Sequence, residues 1–299
     1  MTALFPGTSE LRLKTGGAEI FARVGGEGPP LLLLHGYPQT HAMWHRIAGQ
    51  LMTRFTCVMP DLRGYGASSC PENAPDNSTY SKRAMAEDMI AVMAALGFHR
   101  FAVVGHDRGA RVAYRMALDH PDAVERLAVL DIVPTYAMWH GFTVKLAMKT
   151  YHWLFLAQPA PLPEMLIEKA PRDYLDYTVA SWTKAKDLSA FDPRALEAYR
   201  SMFEKPEHIH AACSDYRAGA TYDLAADEAD RAAGRRIECP TLALWGTAGI
   251  PSETSGPLET WREWCVSAEG TGVDAGHFIA EENPAGTLAN LLPFLTKTF

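Results

Sequence analysis

The sequence predicts an α/β fold in which a mostly parallel central sheet is flanked by helices and interrupted by an inserted helical cap. Three observations predict it. Short apolar runs of strand length alternate with helix-period segments between Leu31 and Asp131, the pattern of a parallel sheet with crossover helices. From about Pro134 to Gly234 strand-like runs disappear. Helical and irregular stretches replace them, rich in aromatics such as Tyr136, Trp139, Trp153, Trp182 and Tyr216. The alternation resumes at Thr241. The expected division is a core of residues 1–134 and 235–299 and a cap of residues 135–234.

Each element follows from local pattern. Glu10–Leu13 and Ala18–Val24 read as a hairpin turning at Gly16-Gly17. Leu31–Leu34 is continuously apolar, as in a strand covered on both faces. The loop His35-Gly36-Tyr37-Pro38 follows, then a helix over Ala42–Met52 and a strand over Phe55–Met59. Pro60–Gly66 reads as a structural turn with an internal ion pair, and Pro71–Thr79 as a polar loop. Lys82–Leu96 has helical period, with Gly97 as its stop. Phe101–Val104 is a buried strand, Val112–Asp119 an amphipathic helix, and Leu127–Leu130 a strand ending at Asp131. Beyond the cap come a strand at Thr241–Gly246, a helix near Leu258–Trp264 and a weak strand near Thr271–Asp274. The Gly276-His277 loop and a terminal helix from about Pro284 complete the chain.

Composition narrows the function. The chain has 299 residues, 47% hydrophobic and 21% charged, enough to bury a large core. Its net charge of −7, with no long basic run, argues against nucleic acid and anionic membranes as partners. No apolar run approaches the roughly 20 residues of a membrane span. The start shows no basic and apolar signal-peptide pattern. The five cysteines are scattered and form no C-x-x-C, which suits reduced thiols in a cytoplasmic protein. His208-x-His210 lacks further ligands at metal-site spacing, so neither metal nor organic cofactor is expected.

The chemistry centres on Gly105-His106-Asp107-Arg108-Gly109. Between a strand and a helix, G-x-D-x-G has the layout of a nucleophile elbow with Asp in place of Ser. An ionised carboxylate needs no base to activate it. It attacks a saturated carbon and leaves an ester on the enzyme. Hydrolysing that ester takes a base, an acid to orient the base, and an oxyanion hole. His277, in a Gly-His loop after the last strand, is the best base candidate, and His106 is its competitor. The loop after Trp245-Gly246 has no acid until Glu253. The orienting role therefore goes to Asp131, whose other reading is a capping Asp at a loop start. Backbone N–H groups of Tyr37 and Arg108 are the candidate oxyanion donors. Arg108 and Arg111, three apart at the helix start, can lean to one side and clamp a substrate carboxylate. The other reading is ion pairing with acids of the cap.

These segments carry a specific resemblance. Gly105–Arg111, Leu130–Tyr136, Tyr151-His152-Trp153, Asp187–Pro193 and Ser214–Gly219 together resemble the fluoroacetate (haloacetate) dehalogenase family, from about Phe5 to the C-terminus. The resemblance implies an α/β-hydrolase fold, a homodimer, and glycolate plus halide as products. It implies that Asp107 is the nucleophile, His277 the base, Asp131 its partner, and Arg108 and Arg111 the carboxylate ligands. It further implies that His152, Trp153 and Tyr216 form a halide pocket and that Trp182 walls the substrate. Tyr37 departs from the Phe more often expected after His-Gly, and could narrow or polarise the pocket. Without the resemblance, cap aromatics read as hydrophobic cover. An epoxide hydrolase is the nearest rival, sharing the Asp nucleophile, but a neutral epoxide gives the arginine pair no purpose. A non-catalytic carboxylate binder has no need of a general base.

Overall fold

The apolar runs that read as covered strands are buried on both faces, and they lie side by side. The structure, a computed structural model, describes residues 4–251 and 256–297. The chain start Met1–Ala3, part of the signal-peptide reading, and Glu253 lie outside the described residues. Eight strands form one sheet: β1 (Thr8–Lys14), β2 (Glu19–Gly25), β3 (Pro30–Leu34), β4 (Thr56–Pro60), β5 (Phe101–His106), β6 (Val124–Leu130), β7 (Thr241–Gly246) and β8 (Ala268–Val273). Their order is β1-β2-β4-β3-β5-β6-β7-β8. The β1–β2 and β2–β4 pairs are antiparallel and the other pairs parallel. The hairpin pairs Lys14 with Glu19 around the two glycines, as its sequence predicts.

Crossover helices α1 (His45–Leu51), α2 (Lys82–Ala95) and α3 (Arg108–Asp119) link the first parallel strands. Between β6 and β7 the chain folds as eight helices: α4 (Thr135–His140), α5 (Val144–Lys149), α6 (Tyr151–Leu156), α7 (Leu162–Ile167), α8 (Pro171–Trp182), α9 (Pro193–Phe203), α10 (Pro206–Ala220) and α11 (Tyr222–Ala232). No strand occurs among the described residues of this insert. Then α12 (Pro257–Trp264), α13 (Ile279–Glu282) and α14 (Pro284–Thr296) complete the fold. No described helix is long and apolar enough to cross a membrane. All five cysteines are unpaired.

Several boundaries move, each for a tertiary reason. The helix expected over Ala42–Met52 splits into a tight 3-10 turn, His41–Trp44, and α1. The amphipathic pattern places the elbow helix at Val112, yet α3 begins at Arg108, because the whole first turn is buried and shows no polar face. β8 lies three residues earlier than the weak strand near Thr271, since Ala268 to Val273 pair with β7 despite their small and polar side chains. The internal ion pair expected in Pro60–Gly66 does not form. Asp61 instead takes the His41 Nδ1 at 2.8 Å, while Arg63 Nε donates to Asp88 Oδ2 at 2.6 Å. Both side chains are buried, and each finds its partner on a different element.

Candidate active site

Four loops meet at the carboxyl ends of the parallel strands, where open α/β sheets hold their ligands. The elbow after β5 needs its glycines. A Cβ on Gly105 would lie 2.5 Å from the Ala110 Cα, and one on Gly109 would lie 2.2 Å from the His35 carbonyl oxygen. Between them Asp107 sits at φ 46°, ψ −116°, outside the regions a side chain favours. This strain lifts its carboxylate off the sheet at the start of α3. Tyr37, in the loop after β3, donates its N–H to Asp107 Oδ2 at 2.9 Å. The Arg108 N–H belongs to the first turn of α3, whose amides have no partner within the helix.

Asp131 follows β6. Its Oδ1 accepts the Gly246 N–H at 2.7 Å, and its Oδ2 lies 2.6 Å from His277 Nδ1. Asp131 thus pairs with the imidazole while it also accepts backbone N–H groups of the loop after β7, Gly246 and Ile250. The His277 backbone is held twice: its N–H donates to the Trp182 carbonyl at 2.9 Å, and its own carbonyl faces His106 Nε2 at 2.9 Å. His106, the competing base, is thus a brace under His277, and burial pulls its pKa down to about 3. Glu282 accepts the N–H groups of Gly276 and Phe278, both at 2.9 Å, and that of Lys184 at 2.8 Å. It ties the His277 loop to the insert. No motif singles out Glu282 in the sequence.

Electrostatics sorts these groups by charge. Burial opposes ionisation of Asp107, but the charges of His277, Arg108 and Arg111 overcome it, and its pKa lies below the ordinary value. Burial also opposes the charged form of His277, yet the hydrogen bond and charge of Asp131 raise its pKa above 6.5. Asp107, Asp131, His277 and Arg111 line a cavity of about 10 Å³ with Ile132, Val133, Met138, Trp153, Ile250 and Pro251. Space of that size holds about one water, so the walls are closed tightly over the reacting groups.

The two arginines part company. Arg108 presents Nε to Asp215 Oδ2 at 3.0 Å and Nη2 to Asp215 Oδ1 at 2.6 Å, with the Asp215 carbonyl at 2.7 Å. Asp215, on α10 of the insert, also accepts from the Tyr65 hydroxyl at 2.9 Å and pairs with Lys82 of α2. The bidentate edge of Arg108 is therefore occupied by an acid of the insert. Its guanidinium carbon also lies 4.2 Å from the Tyr216 ring and 5.8 Å from the Trp153 ring. Arg111 gives Nη1 to the Val133 carbonyl at 3.1 Å and to Thr135 at 3.0 Å. Its Nε is buried without a partner, and its guanidinium lies 4.6 Å from the Trp153 ring centre. Asp215 escaped the sequence analysis although it stands beside Tyr216. Lys82 left no signal, because one Lys at a helix start looks solvated.

The insert supplies the roof. The rings of His152 and Tyr216 are 5.6 Å apart, those of Trp153 and Tyr216 6.0 Å, and those of His152 and Trp182 4.3 Å. Trp182 also meets His277 edge-on at 5.5 Å. Burial lowers the His152 pKa to about 3 and raises that of Tyr216 well above 10, so both are neutral near pH 7. His152 Nδ1, Trp182 Nε1 and the Tyr216 hydroxyl are buried and without partners. Buried polar groups are seldom left so. Elsewhere His208 and His210 turn to the Gly64 carbonyl and to Glu164, and no cluster of three metal-ligating groups occurs among the described residues.

This geometry agrees with what the chain is similar to. The α/β hydrolase fold family matches residues 29–284. A fluoroacetate dehalogenase from Burkholderia sp is 43% identical over 98% of this chain and 95% of its own length. The chain belongs to the fluoroacetate (haloacetate) dehalogenase family of the α/β-hydrolase superfamily. It is a hydrolase. The wider superfamily is close by: a soluble epoxide hydrolase from Corynebacterium sp. (strain C12) is 30% identical over 90% of this chain and 91% of its own length. A solved α/β hydrolase structure from Nostoc sp PCC 7120 superposes with a TM-score of 0.94, at 49% identity over 97% of this chain and 99% of that one.

Proposed function

We propose that this family member hydrolyses the carbon–halogen bond of haloacetates, fluoroacetate among them, giving glycolate and halide through an ester on Asp107. The observation that carries the reading is a small cavity that brings together ionised Asp107, the Asp131–His277 pair and the unpartnered Nε of Arg111. Arg111, with its free Nε, and the remaining edge of Arg108 hold the substrate carboxylate. The α-carbon then faces Asp107, and the halogen faces His152, Trp153 and Tyr216. The Asp107 carboxylate attacks in line, the carbon–halogen bond breaks, and halide leaves into these donors. Fluoride is a poor leaving group, small and strongly hydrated, and short N–H and O–H donors in a dry site replace its water. Trp182 walls the substrate.

His277 then takes a proton from water, oriented by Asp131, and hydroxide attacks the ester carbonyl. The Tyr37 and Arg108 N–H groups hold the oxyanion; its collapse breaks the C–O bond to glycolate, whose oxygen takes a proton as it leaves, and frees the Asp107 carboxylate. The helical insert, residues 135–234, acts as the cap that keeps bulk water out, over a core of residues 1–134 and 235–299. The protein works as a cytoplasmic homodimer.

The test is free fluoride, by ion-selective electrode, from fluoroacetate, with chloroacetate and styrene oxide in parallel. Halide from the acids, lost in Asp107→Asn, supports the reading. Diol from the epoxide without halide from either acid would replace it with the epoxide hydrolase suggested by the 30% identical relative. Against that rival stands Arg111, a buried cation with an open donor that a neutral epoxide does not use.

A further inference from the structure

The hydroxyl of Tyr37, in the loop after β3, has no evident use in the reaction. The ring is wholly buried. It meets Tyr216 edge-on at 5.3 Å, Trp182 at 6.1 Å and Phe203 at 5.9 Å. Its hydroxyl and that of Tyr174 on α8 have no hydrogen-bond partner beyond each other and Tyr151. The Tyr174 ring stacks on the other side of Phe203 at 6.0 Å. The two hydroxyls lie near enough to perturb each other's ionisation, and Tyr216 adds to the effect on Tyr37. Buried hydroxyls with a donor to spare are costly, and three in a row mark a place built for something that accepts hydrogen bonds.

The row has two ends. The inner end is Tyr216, beside His152 at the proposed halide pocket. The outer end is Tyr174, whose ring lines an open cleft of the cap with Met148, Tyr151 and Phe155 while its hydroxyl stays buried. Tyr151 continues the sequence of hydroxyls towards the Thr178 Oγ1 at 3.4 Å. One side chain therefore reaches from the surface cleft to the interior.

We propose that the hydroxyls of Tyr216, Tyr37 and Tyr174 form a release path along which halide leaves its pocket for the cleft between α5, α6 and α8. The inference rests on the dehalogenase reading. An anion is the fitting traveller because every group on the path is an O–H or N–H donor, and burial keeps the phenols in their neutral, donating form. A proton relay fits poorly, since the proton produced by hydrolysis resides on His277 and the row begins at the leaving group instead. Successive donors hold it at each station without trapping it.

The experiment follows chloride and fluoride, added as sodium salts, by stopped-flow fluorescence of Trp153 and Trp182 in wild-type, Tyr174→Phe and Tyr37→Phe proteins. The path requires slower halide dissociation in Tyr174→Phe, by roughly two- to tenfold, the rate equivalent of one hydrogen bond. It requires a further loss in the double variant. Single-turnover halide formation in Tyr174→Phe should stay within about twofold of wild type, because Tyr174 lies outside the reacting groups. Halide dissociation unchanged in both single variants overturns the path and leaves the dehalogenase reading intact. A wild-type protein whose fluorescence answers neither salt, and which releases no halide from chloroacetate, overturns the reading and the path together.

Discussion

The floor and the roof of the site are built on opposite principles. The floor, at the strand ends, is charged and, apart from Arg111 Nε and His106 Nδ1, satisfied: Asp107 accepts from Tyr37, Asp131 from Gly246, and His277 is held by Asp131, Trp182 and His106. The roof, on the insert, is neutral, and His152, Trp182 and Tyr216 keep unpartnered donors. Catalytic groups that must not move have their hydrogen bonds supplied by backbone. Groups that must greet a transient anion have theirs left open, and remain uncharged so that the anion can depart again. Arg108 and Asp215 lie on the seam, with one charge from each half.

That contrast can be broken at the floor first, where effects are largest. Asp107→Asn should lower halide release by more than about 10⁴-fold, as removal of a nucleophile does. Retention of appreciable activity would move the nucleophile elsewhere. His277→Asn should allow one halide per site and then stall, with steady turnover down roughly 10³- to 10⁴-fold. Mass spectrometry of the intact chain should find the ester on Asp107.

The same base fixes the pH profile. His277 must be neutral to take the proton from water, and its pKa is raised above 6.5. Turnover should therefore fall as pH drops through a value above 6.5. In Asp131→Asn, burial becomes the governing influence on His277, and this limb should shift to lower pH. An unmoved limb would count against the Asp131–His277 assignment.

At the roof, Trp153→Phe removes one N–H. It should cost about 10²- to 10³-fold on fluoroacetate, the usual loss for one preorganised donor, and distinctly less on chloroacetate. Equal losses on both substrates would mean that Trp153 shapes the pocket without serving the leaving group. On the seam, Asp215→Asn should raise KM for chloroacetate and destabilise the fold by about 3–5 kcal/mol, since Lys82 and Arg108 lose a buried counter-charge. A lower Tm with unchanged KM would confine Asp215 to holding the insert down.

The sequence by itself determined much of the floor. The elbow spacing, the apolar β3 and β5 runs, the position of Asp131 at a strand end and the late His277 are all local signals, because strand burial and tight turns restrict residue type over a few neighbours. The alternation of strands and helices and its interruption by the insert were legible for the same reason. The roof was legible only by resemblance, since aromatics on amphipathic helices look alike whether they cover a core or face a ligand. Only the tertiary structure decided that Arg108 pairs with Asp215, that Arg111 keeps an open donor, that Glu282 braces the His277 loop, and that Tyr37 and Tyr174 approach each other across Phe203. These contacts join positions far apart in the chain. A charge or hydroxyl acquires its partner, or its lack of one, only when the insert is folded down on the sheet.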